Sequence, residues 1–143
     1  GDTASAVSAY EDVLAEYPDN TQAIINLAGL IRQTSPAVAL QKLLDLNQAY
    51  PGKPVVLAQL WVAYADAGNF LDAYKNLERA AALDPNNPQH YYNMAVVSEK
   101  AGDVPLAIRN YEKALEVDTI YGDGRGAISR ERIYDRLSKL RGN

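Results

Sequence analysis

Apolar residues along this chain recur with the period of an α-helix. Between residues 56 and 67, Leu57, Leu60, Trp61 and Tyr64 fall at i, i+3, i+4 and i+7, one face of a helix. Ala73, Leu77 and Ala80, with Tyr74 and Ala81, mark the face of a second. At the start, residues 3–17 predict a helix with Ala6, Val7, Tyr10, Val13, Leu14 and Tyr17 turned inward. Near the end, residues 127–140 predict another, with Ile133, Tyr134, Leu137 and Leu140 on one side. The breaks between these stripes are equally legible. Asp84-Pro85-Asn86-Asn87-Pro88 stops one helix and starts the next, because proline is excluded from helix interiors but suits a first turn. Gly68 and Gly102 supply the backbone freedom that a tight turn requires. Residues 119–126, with three glycines, read as a loop. Every predicted element is helical, so the fold class is all-α.

The pattern is also periodic on a longer scale. Gly68 and Gly102, Ala73 and Ala107, Ala80 and Ala114, Leu83 and Val117, and Asp84 and Asp118 are each 34 residues apart. Upstream, Ile24, Leu27, Ala28 and Ile31 are spaced like Leu57, Leu60, Trp61 and Tyr64, and like Tyr91, Met94, Ala95 and Ser98. Ala39, Leu43 and Pro51 answer to Ala73, Leu77 and Pro85, with a turn at Thr34-Ser35-Pro36 one residue shorter. Ala6, Tyr10 and Pro18 repeat the second half alone. Small Ala73, Ala80, Ala107 and Ala114 let paired helices approach closely.

Over about residues 3–118 this arrangement resembles the tetratricopeptide repeat family. That family's signature is a large residue, a Leu-small pair and an aromatic, then Ala, a large residue and a closing Pro. The resemblance implies an α-solenoid, a right-handed superhelix of antiparallel helix hairpins. On that reading residues 1–18 are the second helix of an incomplete repeat. Residues 20–51, 54–85 and 88–119 are full repeats, and 120–143 are a loop and a C-terminal capping helix. Two residues depart from the family pattern. Trp61 stands where a very small residue is usual, which is expected to wedge or rotate its hairpin. Pro105 opens the second helix of the last repeat, where its fixed backbone angle fits. A lone first helix cannot bury its apolar face. It is read as cut from a longer protein, against the alternatives of a cap or a face covered by another copy.

In such an array the first helix of each hairpin lines a concave face. Residues outside the packing set are expected to point there as a partner-binding groove. The first full repeat offers Ile25, Asn26, Gly29 and Arg32, beside Gln22. The next offers Val55, Gln59, Val62 and Asp66, beside Ala58 and Ala65. The last offers Gln89, Tyr92, Asn93, Val96 and Glu99, beside Lys100. Asn26, Gln59 and Asn93 hold equivalent places, a ladder of amides able to hydrogen-bond an extended backbone or simply to solvate a helix face. The Lys/Arg carboxylate clamp of heat-shock co-chaperones is not matched, since the corresponding places hold Ile25, Gly29, Gln59, Gln89 and Asn93.

Charge changes this picture only at the ends. The net charge of -4 gives the chain no electrostatic reason to seek nucleic acid. From Asp123 onward six basic residues face three acidic ones, while the remainder carries eight basic and fifteen acidic. The basic tail is read either as a contact for an acidic partner or, preferably, as an end helix docking on its own acidic body. The chain has no cysteine, which excludes thiolate chemistry and disulfides and fits cytoplasm and periplasm alike. His90 is read as an exposed helix-start residue, without carboxylates at the spacing a metal site needs. Gly122-Asp123-Gly124-Arg125-Gly126 lacks the strand and downstream acid of a phosphate-binding fingerprint. Glu11, Asp12 and Glu16 read as a solvated face, and the tyrosines sit at packing positions and helix ends. No catalytic residue, cofactor or metal is expected. The expectation is a non-catalytic scaffold for a protein or peptide partner, without direct membrane insertion. Its alternative is a self-associating assembly module, a homo-oligomer through the N-terminal helix. The resemblance implies bacterial envelope or secretion assembly as one setting.

Overall fold

Each helix starts and stops where its own sequence supplies the means. The structure, a computed structural model, describes residues 2–122 and 127–142 and, at Val55, the backbone alone. In those residues the chain runs α1 (Asp2–Glu16), α2 (Thr21–Ile31), α3 (Pro36–Ala49), α4 (Pro54–Asp66), α5 (Phe70–Leu83), α6 (Pro88–Lys100), α7 (Val104–Tyr121) and α8 (Arg130–Leu140). No strand occurs among them. Asn20, Asn87, Asp103 and Ser129 cap α2, α6, α7 and α8 by accepting from backbone N–H groups of the first turn. Proline opens α3, α4, α6 and α7, Pro105 among them.

Two helix ends are near copies. Gly68 and Gly102 both have φ of 80°. The Gly68 N–H donates to Ala65 O and Asn69 N–H to Tyr64 O; Gly102 N–H donates to Glu99 O and Asp103 N–H to Ser98 O. This paired closure, with the left-handed residue just past the cap, requires glycine at that one position.

The chain forms two compact units, Gly1–Asn69 and Phe70–Asn143, whose boundary falls in the turn after α4. In the first, α1 packs on α2, α2 on α3 and α4, and α3 on α4. Its core joins Leu14 with Ile24, Leu27, Ala28 and Ile31 of α2, Leu43 of α3 and Val56 and Leu60 of α4. In the second, α6 packs on both α5 and α7, and α7 carries α8. There Ala95, Ala107 and Ala114 are fully buried beside Tyr111, Ile133 and Leu137, so small residues do bring the helices close.

Several expectations need correction. Val13 and Tyr17 do not face inward: they are 36% and 60% exposed, and Leu14 is the buried residue of α1. Ala80 is half-buried, and Ala81 takes the buried place. The expected loop at 119–126 starts late, because α7 continues through Tyr121; Thr119 Oγ1 donates to Leu115 O and Asp118 is held by Arg130. Residues 123–126 of that loop, with two of the three glycines of the Gly122–Gly126 stretch, lie outside the described residues. The last helix begins at Arg130 rather than 127, since Ser129 adopts the extended cap.

Glycine substitutions separate turn from helix. Nothing lies within 4 Å of a Cβ built at Gly29 or Gly102, so only the backbone decides the outcome. Gly102→Ala, forced into a left-handed conformation, is expected to cost about 1–2 kcal/mol. Gly29→Ala, inside α2, is expected to stabilise by roughly 0.5–1 kcal/mol. Thermal or urea melting checks the opposite signs.

Candidate functional site

The residues expected to face a groove fall on α2 and α4 in the first unit and on α6 in the second. On α2, Ile25 is 42% exposed and Gly29 is exposed, while Asn26 is half-buried and accepts from Gln22 Nε2 at 2.9 Å. Arg32, the residue that ends α2, sends Nη1 to Gln59 Oε1 on α4 at 3.4 Å. That bond joins two of the positions named from sequence. Val62 is half-buried and Asp66 exposed, whereas Ala65 is buried at 7% and faces packing, not solvent. The Val55 side chain lies outside the described residues.

On α6 the same local motif returns. Gln89 Nε2 donates to Asn93 Oδ1 at 2.9 Å, one turn apart, as Gln22 does to Asn26. An i,i+4 amide pair on a helix consumes one donor and one acceptor. The asparagine NH₂ and the glutamine oxygen are not used within either pair. Tyr92 is less available than expected: half-buried, it meets Tyr111 edge-on with ring centroids 5.9 Å apart. Val96 is half-buried.

Glu99 is engaged rather than open. Its carboxylate accepts from Tyr111 Oη at 2.8 Å and from Arg136 Nε at 2.9 Å, and Arg136 Nη2 closes a two-pronged ion pair. The Arg136 guanidinium holds the Glu99 carboxyl below its ordinary range, against the opposing effect of burial, with Tyr111 assisting. Burial raises the Tyr111 hydroxyl pKa, and the Glu99 carboxylate raises it further. Neither partner was legible beside Glu99: Tyr111 is 12 residues away and Arg136 37.

The basic tail behaves likewise. Arg130 bonds Asp118 at 2.7 Å and lies over the Tyr134 ring, and Arg141 pairs with Glu112. The end helix therefore docks on the acidic residues of its own unit. His90 is half-buried, not exposed, with Nε2 3.3 Å from Asp84 Oδ2. Among the described residues no group of three His, Cys, Asp or Glu side chains is placed to hold a metal ion. No described helix is long and apolar enough to cross a membrane.

The sequence profile of one tetratricopeptide repeat family matches residues 62–123, and a second tetratricopeptide profile matches residues 1–20. The chain is a tetratricopeptide repeat protein. No curated protein matches it. Among solved structures it is similar to MamA, at 22% identity and a TM-score of 0.65, over 98% of this chain and 87% of that one. PcrH from Pseudomonas aeruginosa has a TM-score of 0.69 at 15% identity, over 87% of this chain and 93% of that one. The Sgt2 TPR domain from Aspergillus fumigatus has a TM-score of 0.53 at 17% identity, over 99% of this chain and 83% of that one. These likenesses show the fold, an α-solenoid of tetratricopeptide hairpins.

In this tetratricopeptide chain the Glu99 pair ties α8 to α6, and its pH dependence follows from its sign. A carboxyl depressed on folding contributes stability that is present above its unfolded pKa, near 4.5, and is lost as pH falls through the folded value. Glu99→Gln is expected to destabilise the second unit by about 1 kcal/mol at pH 7, after allowance for solvent at Arg136. The gap between variant and parent should narrow as pH falls below the ordinary carboxyl range. Melting curves at pH 7 and pH 3 check both statements.

Proposed function

We propose that this chain is a non-catalytic scaffold that binds a protein or an extended peptide through amide-bearing helix faces, those of α2 and α4 in the first unit and that of α6 in the second. The observation that carries this reading is the repeated Gln-to-Asn pair, Gln22 with Asn26 and Gln89 with Asn93. Two helices 67 residues apart in register carry the same amide pair, with Gln22 exposed and Asn26, Gln89 and Asn93 half-buried. Each pair keeps NH₂ donors and an acceptor oxygen, the complement of a peptide backbone's C=O and N–H. Gln59, already meeting Arg32, continues the series on α4. Ile25, Val62 and Val96 supply apolar contact beside the amides. Uncharged amides select for backbone and for neutral polar side chains rather than for a terminal carboxylate. The Glu99 carboxylate stands outside this set, since Arg136 and Tyr111 occupy it.

The test is recovery of the protein that co-purifies with the chain. The double variant Asn26→Ala, Asn93→Ala removes both asparagine amides without touching a buried apolar residue. At ~1 kcal/mol per lost bond, affinity should fall by about tenfold or more. Unchanged recovery removes these faces from consideration.

A second reading is a self-associating assembly module, supported by the exposed Val13 and Tyr17 at the first helix. Apolar side chains in water favour association. Light scattering over a concentration series decides it: a mass that rises and returns to monomer on Val13→Glu, Tyr17→Glu supports the reading, and a strict monomer removes it.

A further inference from the structure

A second recess lies apart from the amide faces. Between α1 and α3, over α2, the first unit holds a cleft of about 370 Å³ that includes none of the groove residues. Its floor is Leu14, Leu27, Ile31 and Leu46, each less than a tenth exposed. Its rim carries Glu11 from α1 and Lys42 and Asp45 from α3. The volume falls in the range of pockets that take a small ligand or a few anchoring side chains. An apolar floor with charged edges is the form that receives an amphipathic segment.

Charge says which segment. The first 31 residues contain no lysine, arginine or histidine, and five acids: Asp2, Glu11, Asp12, Glu16 and Asp19. Of these only Asp19 has an ion pair among the described residues, with Lys53. Asp2, Glu11, Asp12 and Glu16 of α1 thus form no ion pair among the described residues, and Glu11 lines the cleft itself. On the α3 side Asp45 accepts from Gln41, and Lys42 is the sole cation on the rim. The rim sums to one negative charge, and α1 beside it contributes acids and no lysine, arginine or histidine. Such a field attracts a cation and repels an acidic segment.

We infer that the cleft between α1 and α3 binds a basic amphipathic segment of a partner protein, with an apolar side chain seated over Leu14 and Leu46 and its lysines or arginines against Glu11 and the α1 carboxylates. This site goes beyond the peptide-binding faces of α2, α4 and α6 and does not depend on them.

A fluorescent helical peptide of leucines and lysines is the probe, titrated into the whole chain by anisotropy. Two rim variants change exposed residues: Glu11→Lys reverses the nearest charge and Ala49→Phe fills the recess. Glu78→Lys, on exposed α5, is the charge-matched control. The expected result is binding that weakens at least tenfold in both rim variants, changes less than twofold in the control, and is abolished when the peptide's lysines become glutamates. Binding that is absent, or that Glu11→Lys and Glu78→Lys weaken equally, or that survives Ala49→Phe, overturns the proposal. The Asn26→Ala, Asn93→Ala variant should bind this probe normally, so failure of the amide-face reading and failure of the cleft are read separately.

Discussion

A helix with an apolar stripe on one side cannot remain in water by itself, and in this chain each stripe is met by a neighbouring helix. Ile24, Leu27, Ala28 and Ile31 of α2 meet Leu14 of α1, Leu43 of α3 and Leu60 of α4 within one cluster. Ala95, Ala107 and Ala114 do the same work in the second unit by being small, which lets Tyr111 lie buried between helices. Burying such side chains contributes roughly 1.5–3 kcal/mol for each large aliphatic or aromatic residue. Little of that gain is available to one helical hairpin alone, because half of its apolar surface would still face solvent. Function in a fold of this kind is left to the surfaces that packing does not consume.

Those surfaces differ in chemistry. On α2 and α6 they carry neutral amides already paired with one another, which keeps their side chains ordered before a ligand arrives and lowers the entropy lost on binding. On α1 they carry carboxylates that form no ion pair among the described residues, beside a recess with an aliphatic floor. The two proposals rest on this contrast, neutral amides for a peptide backbone and carboxylates beside an aliphatic recess for a basic apolar anchor.

The last helix illustrates how charge is absorbed inside the fold. Arg130, Arg136 and Arg141 each find a carboxylate on α6 or α7. The exposed pairs among them contribute little to stability, but the half-buried Glu99 bond combines two guanidinium prongs with a tyrosine hydroxyl and fixes where α8 lies. The positive end of the sequence is therefore not a positive surface of the same magnitude.

Sequence by itself determined the helices, their caps and turns, and the repeat. These are local properties: a stripe at 3.6-residue spacing, an asparagine or aspartate before a first turn, a glycine past a cap, all within a few residues of what they control. The amide pairs of α2 and α6 were legible for the same reason, since Gln22 and Asn26 are one turn apart. The tertiary structure alone decided the rest. It turned Val13 and Tyr17 outward, buried Ala65, set Tyr92 against Tyr111 and gave the Glu99 carboxylate to Arg136. Each of these depends on which helix arrives from elsewhere in the chain, and a stripe of apolar residues specifies that some surface must be covered without specifying by what. The cleft over Leu14 and Leu46 belongs to the same class, because a space between helices is a property of their separation and of no single residue.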